Sequence, residues 1–211
     1  MITEELYRNY LMSLLAGEHC PCHTVVSGLL ERRVEIKELY SGLFQRSLYE
    51  VGELWERRKI SVAVEHMASA ITESLLALVY PAIFSAEHFD KSVVISCAAN
   101  EHHQIGGKII ADYFELHGWH GYFLGANTPE SDLLQMIDDK QPQLIGLSLS
   151  IYFNLPNLVK IIRAITDRRH ESQIIVGGQA FRHGGVDVLS QFSNVRYVSS
   201  LGDLDAIMAE G

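Results

Sequence analysis

Three short segments in the second half of the chain carry residue types able to hold a ligand. The first is Glu101-His102-His103-Gln104-Ile105-Gly106, a polar run with a carboxylate two residues before a histidine. Neutral imidazole is the commonest nitrogen ligand of transition metals, and its second ring nitrogen is usually held by a carboxylate. Glu101 can give His103 that support. The second segment, Ser148-Leu149-Ser150, offers two small hydroxyls, and the third is Gly177-Gly178, where missing side chains let a flat or bulky ligand lie close to the backbone. A fourth set stands earlier: Trp55, nine residues, then Glu65-His66, combining a flat ring for packing with a carboxylate that accepts hydroxyls. Taken singly, each has a plain alternative, such as a surface histidine, a turn glycine or a helix-end tryptophan.

The elements that must position these residues follow two grammars. Apolar residues recur at helical steps over 2–17, 23–32, 36–55 and 61–81; the third stretch is clearest, with Ile36, Leu39, Tyr40, Leu43, Phe44, Leu48, Val51, Leu54 and Trp55 on one stripe. Four amphipathic helices with short connections predict a four-helix bundle, with Ser61 as N-cap of the last. The turn between the third and fourth helices brings Trp55, Glu65 and His66 to one end. From about Asp90 the pattern alternates. Short apolar, β-branched runs at 91–98, 120–124, 143–149, 173–176 and 195–198 are separated by helical patterns at 105–118, 130–139, 155–169, 185–192 and 202–209. That predicts an α/β unit, a five-stranded parallel sheet of flavodoxin/Rossmann-like type in the order 2-1-3-4-5. The expected division is 1–88 and 89–211. In such a sheet ligands bind beyond the carboxyl ends of the strands, and in this order the first, third and fourth strands are neighbours. The Glu101, Ser148 and Gly177 segments therefore share one rim.

The chain of 211 residues has a formal net charge of −9, an apolar content of 47% and three cysteines. The charge offers no general basic surface for phosphate backbones, so direct DNA binding is not expected. The cysteines are too few for a disulfide framework. No run of about 18 consecutive apolar residues predicts a membrane span, and no signal pattern opens the chain, so a cytoplasmic location is expected. His19-Cys20-Pro21-Cys22-His23 lacks a second ligand pair and is read as an interhelical turn with one buried cysteine. His102, His117, His120 and the Asp138-Asp139 pair read as solvent-facing. No Ser/His/Asp order or phosphate loop points to a hydrolase or kinase, and a catalyst is not expected.

Together, Glu101-x-His103-x-x-Gly106, Ser148-x-Ser150 and Gly177-Gly178 at their spacing resemble the signature of the cobalamin (vitamin B12)-binding domain family, usually Asp-x-His-x-x-Gly, Ser-x-Leu or Ser-x-Thr, and Gly-Gly. Glu101 stands for the usual Asp and Ser150 for the usual Leu or Thr. Leu124-Gly125-Ala126-Asn127-Thr128-Pro129 is similar to the loop after the second strand of these domains, which commonly follow a four-helix cap. The resemblance implies that His103 is the lower axial cobalt ligand. It implies further that Glu101, Gln104, Ile105, Gly106, Ser148, Ser150, Gly177 and Gly178 surround the cofactor and its displaced nucleotide tail.

Trp55-x9-Glu65-His66 resembles the cap motif of the adenosylcobalamin-dependent photoreceptors of the CarH/LitR type. Those regulators carry a histidine directly after the Trp that captures cobalt after photolysis; here Glu56 stands there, with His66 nearby. They also carry a DNA-binding helix-turn-helix ahead of the cap, for which residues before the first helix leave no room. The resemblance implies a light sensor that holds adenosylcobalamin between cap and α/β unit and signals on Co–C photolysis to a separate, unknown protein effector, with a homo-oligomer among the assemblies it allows. The alternative is a corrinoid methyl carrier for a methyltransferase system, holding methylcobalamin or hydroxocobalamin. A third is a binder that reports cobalamin supply.

Overall fold

The four-helix region starts at Thr3, whose hydroxyl accepts the Leu6 N–H at 3.2 Å and so caps α1 (Glu4–Ala16) in the computed structural model, which describes residues 1–168 and 173–210. Gly17, at φ 74°, ends α1 with its N–H on the Leu14 carbonyl, a left-handed position that costs glycine no Cβ clash. α2 (His19–Glu31) begins four residues before the expected start. His19-Cys20-Pro21-Cys22-His23 is thus its first turn rather than an interhelical turn. Proline is tolerated there because first-turn N–H groups have no helical partner. Cys22 is buried and Cys20 exposed.

The third helix is continuous from Ile36 to Glu56 but changes winding. Ile36–Glu38 is α-helical, Leu39–Gln45 is π-helical, and α3 (Arg46–Glu56) completes it. Leu39, Tyr40, Leu43 and Phe44 are all buried within the π segment, a pairwise pattern that three- and four-residue spacing does not distinguish from an α-helix. After a turn in which Arg58 takes φ 55°, Ser61 accepts the Val64 N–H and caps α4 (Val62–Leu76). The run Val62–Ile83 is long and apolar enough to span a membrane by length and composition. Its Ala68, Ile71, Leu75, Leu76, Val79 and Ile83 are buried in the helical region.

The second unit of the chain, Ser85–Gly211, is separate from the first, Met1–Phe84. Its strands are β1 (Ser92–Cys97), β2 (His120–Phe123), β3 (Leu144–Ser148), β4 (Gln173–Gly177) and β5 (Val195–Tyr197). They form a parallel sheet in the order β2-β1-β3-β4-β5, as the alternation predicts. The connecting helices are α5 (Ile105–Leu116), α6 (Glu130–Lys140) and α7 (Leu155–Arg168), with α8 (Leu201–Glu210) at the end. Residue 169, the expected end of α7, lies outside the described residues. Leu133, Ile137, Leu158, Ile161, Ile162 and Ile165 pack against Val94, Ile145, Leu147 and Ile174 in the core. The expected helix at 185–192 shrinks to the turn Val186–Leu189 behind a 3-10 turn, Gln179–His183. Gly184 and Gly185, at φ 117° and 87°, break any regular helix between them. α8 is fixed at its start by Asp203, whose carboxylate accepts the Ser199 and Ser200 N–H groups at 2.7 and 3.1 Å.

The segment before β1 is strapped to this unit. Phe89 N–H donates to the Gly118 carbonyl at 2.7 Å, and His88 bonds Glu115 at 2.5 Å while stacking on His120. Gly118 sits at φ 80°, and a Cβ there would lie 2.5 Å from the Glu87 carbonyl oxygen. Gly118→Ala is expected to destabilise the α/β unit by ~1–3 kcal/mol, seen as a lower urea midpoint and as faster proteolysis between residues 85 and 90.

Candidate functional site

Parallel pairing sets three strand ends level. Cys97 lies opposite Ser148, and Ser148 opposite Gly177. The loop after β2 joins the same rim, since Cys97 N–H donates to the Gly125 carbonyl at 3.2 Å. The segments singled out in the α/β unit are therefore neighbours.

The centre of the rim is Glu101. Its side chain is fully buried yet surrounded by donors. One carboxylate oxygen accepts the His103 N–H at 3.0 Å and lies 2.6 Å from His103 Nδ1. The other accepts the Ser150 and Ile151 N–H groups, each at 2.9 Å. Burial pushes the Glu101 carboxyl up, but hydrogen bonds from the His103 ring, the Ile151 N–H, the His103 N–H and the Ser150 N–H more than offset it, holding it at about 2. An ionised carboxylate can only accept, so the proton at the 2.6 Å contact belongs to Nδ1 and the ring carries its lone pair on Nε2. The His103 side chain remains 45% exposed while Glu101 beneath it is not exposed at all. Burial and the Glu101 charge push the Cys97 thiol, under the same loop, up to about 12, so it is a packing group rather than a thiolate.

Four asparagines brace the histidine loop. Asn100 takes φ 64°, and its N–H donates to Asn127 Oδ1 at 3.0 Å. The Asn127 N–H donates to the Glu101 carbonyl at 3.1 Å. The Asn154 amide donates to the Asn100 carbonyl at 3.1 Å, and that of Asn157 to the Ala99 carbonyl at 3.3 Å. The loops after β2 and β3 thus hold the loop after β1 through its backbone. Sequence reasoning missed Asn100, Asn154, Asn157 and the amide of Ile151. The available signal was asparagine recurring in loops that the topology brings together, a residue type that tolerates left-handed backbone and bonds carbonyls locally.

The glycines divide by what their missing Cβ avoids. A Cβ on Gly177 would lie 2.8 Å from the Val198 carbonyl oxygen, and one on Gly178, at φ 121°, would fall on the Leu149 backbone. That pair makes room for the chain itself, whereas the sequence suggested room for a ligand. A Cβ on Gly106 would be 3.7 Å from Ser148 Oγ, an ordinary contact. No described neighbour requires glycine at Gly106, which adjoins Ser148 at the end of β3. Gln104 and Ile105 form the entry to α5, with the Gln104 carbonyl accepting the Lys108 N–H. His102 is solvent-facing.

Trp55, Glu65 and His66 lie in the first unit. Trp55 is in the last turn of α3 and 39% exposed, and Glu65 and His66 are in the first turn of α4, across the short link between the two helices. Glu65 accepts from Ser69 Oγ at 3.0 Å and lies 3.5 Å from His66 Nε2. Among the described residues no group of three or more His, Cys, Asp or Glu side chains could hold a metal ion.

Residues 91–198, just over half of the chain, match the family described as B12 binding domain, and residues 6–80 match a second family of the same description. The HTH-type transcriptional repressor CarA of Myxococcus xanthus is 30% identical over 90 residues, 43% of this chain. That match spans 31% of the repressor's length, about a third of it. Among solved structures, the monomethylamine corrinoid protein of Methanosarcina barkeri superimposes with a TM-score of 0.84 at 10% identity, covering 98% of each chain. The methanol:cobalamin methyltransferase complex MtaBC of Methanosarcina barkeri gives 0.52 at 17% identity, covering 99% of this chain and 81% of that one. A cobalamin-binding protein of Desulfitobacterium hafniense DCB-2 gives 0.51 at 16% identity, covering 95% and 96%. At these identities the structural likeness concerns the fold.

Glu101→Gln would leave an amide N–H facing backbone donors and loosen the His103 ring. It is expected to cost ~2–3 kcal/mol in urea unfolding of the α/β unit. Asn154→Ala, which removes one neutral hydrogen bond, is expected to cost about 1 kcal/mol in the same experiment.

Proposed function

Because the chain belongs to the B12-binding domain family, and so binds cobalamin or a related corrinoid, we propose that it is a corrinoid methyl carrier that serves a separate methyltransferase. The observation that carries this reading is the match in extent: a helical unit followed by one α/β unit, 98% of each chain superimposed on the monomethylamine corrinoid protein. The methyltransferase complex, which also matches nearly the whole chain, supports it. In this reading the chain is not itself the catalyst. It holds the cofactor and offers it to a partner enzyme.

The residues present fit the group. When bound, the cofactor supplies a cobalt that can hold a transferable carbon group on its upper face. His103 would hold the cobalt through the Nε2 lone pair of its neutral ring, because Glu101 keeps the ring proton on Nδ1. The asparagine braces keep that ring in place through the backbone, so the ligand need not be ordered at binding. Gly106 and Ser148 are neighbours on the rim and would flank the nucleotide tail. Gln104, Ile105 and Ser150 line the same rim, and the Gly177-Gly178 pair keeps β4 and the loop after β3 close enough to form it. In this reading Trp55, Glu65 and His66, at the link between α3 and α4 of the first unit, are further candidates for contact with the cofactor.

A second reading has its own support. The Trp55, Glu65, His66 set and the 30% identity with the CarA repressor favour a sensor of adenosylcobalamin whose response to light passes to a protein effector. The two readings differ in what the cap prefers. Purified protein titrated in the dark is expected to bind methylcobalamin and adenosylcobalamin with affinities within ~10-fold, about 1.4 kcal/mol, and to keep its size on a gel-filtration column after green light. A preference for adenosylcobalamin above ~100-fold together with a light-driven change in size would overturn the carrier reading in favour of the sensor. His103→Ala is expected to remove the imidazole-ligated absorption spectrum in both readings, and an unchanged spectrum would remove His103 as lower ligand.

A further inference from the structure

The run His19-Cys20-Pro21-Cys22-His23 opens α2 in the first unit, whereas the His103 loop belongs to the second. Its five residues divide by direction. Cys22 is buried, with Sγ 3.9 Å from the Tyr10 carbonyl oxygen, while His19, Cys20 and His23 are exposed. Residues four apart on a helix share a face, with Cβ atoms about 5–6 Å apart, so the imidazoles of His19 and His23 project from one side of α2. Pro21, between them, has its φ fixed at a helical value by its ring, which stiffens the turn that spaces the pair.

The hydrogen bonds of the two rings supply a second, independent observation. Ser74 Oγ donates its single hydrogen to the Ile71 carbonyl at 2.7 Å, so at its 2.9 Å contact with His19 Nε2 the hydroxyl accepts and the ring nitrogen donates. The neutral His19 ring therefore carries its lone pair on Nδ1. His23 Nδ1 lies 3.4 Å from Ser27 Oγ, a hydroxyl that can accept its N–H and so place the His23 lone pair on Nε2. A metal-ligating histidine commonly has its other ring N–H held by an oxygen, and here each ring has such an oxygen, Ser74 for one and Ser27 for the other. We propose that His19 and His23 chelate a divalent transition-metal ion of the zinc class on the outer face of α2, through His19 Nδ1 and His23 Nε2, with water completing the coordination. Imidazole donors suit zinc, copper and nickel rather than magnesium or calcium. The positive end of the helix dipole disfavours a cation there by about twofold to fivefold, and the acidic N-cap residue Glu18 acts against that cost. This site is independent of the reading of His103 as a cobalt ligand.

The test titrates the full chain, freed of metal by a chelator, with zinc chloride and separately with magnesium chloride, following heat by calorimetry. Zinc is expected to bind and magnesium to give no heat. His19→Ala and His23→Ala are each expected to weaken zinc by more than about tenfold, because each removes one of two protein donors. Both side chains are exposed, so the urea midpoints of these variants without metal are expected to stay near that of the parent. Zinc is expected to raise the midpoint of the parent, whose folded state alone holds the two rings one turn apart, and to leave that of His23→Ala in place. Cys20→Ser and His103→Ala are expected to keep the parent affinity for zinc. A parent that binds no zinc, or unchanged zinc affinity in both His19→Ala and His23→Ala, would overturn the site. A loss in Cys20→Ser as large as that in His23→Ala would overturn it by giving the metal to the thiol, and a loss confined to His103→Ala would overturn it by moving zinc to the loop after β1.

Discussion

A carboxylate buried without exposure is tolerated only when its charge is matched by donors, and Glu101 receives four of them from three residues of the rim. Two come from His103 and two from the loop after β3, so one side chain ties His103 to the neighbouring loop. The same contact decides the histidine tautomer. An ionised acceptor at Nδ1 leaves the free lone pair of the neutral ring on Nε2, and the stability of the loop and the orientation of the ring depend on a single group. Glutamate in place of the commoner aspartate keeps this function because its additional methylene still leaves both oxygens within 3.0 Å of their donors.

The rest of the α/β unit serves that contact. Parallel register places Cys97, Ser148 and Gly177 level, so the loops that follow them must share space. Backbone crowding at Gly177 and Gly178 lets β4 approach the loop after β3, which carries the Ser150 and Ile151 amides. Asn127 from the loop after β2, Asn154 from the loop after β3 and Asn157 from the first turn of α7 then take up the carbonyls of Glu101, Asn100 and Ala99. The loop after β1 is thereby held through its backbone by its neighbours.

Much of this was legible in the sequence, for identifiable reasons. Alternation of β-branched runs with helical periods gave the parallel sheet and its order, because a strand buried on both faces has few ways to be written. Glu101 and His103 were legible because their chemistry depends on a spacing of two. The π-helical Leu39–Gln45 segment was not, since apolar pairs at 39, 40, 43 and 44 fit an α-helix equally well. The early start of α2 was hidden by Pro21, a residue that reads as a break but suits a first turn. The asparagine braces were hidden because they bond backbone carbonyls across loops far apart in sequence. Gly177-Gly178 was found for one reason and is required for another, the proximity of Val198 and Leu149.

Carrier and sensor differ in the role of the first unit, where Trp55 and Glu65 stand, and agree on that of the α/β rim. The claim common to both is that His103 supplies the lower nitrogen of a bound cobalamin. Electron paramagnetic resonance of the protein loaded with cobalamin reduced to the cobalt(II) state, prepared with natural-abundance histidine and again with 15N-labelled histidine, tests it most directly. The account predicts a triplet superhyperfine pattern from the axial nitrogen that becomes a doublet with the label and is lost in His103→Ala. A triplet that survives the label would assign the axial nitrogen to the cofactor's own base and contradict it.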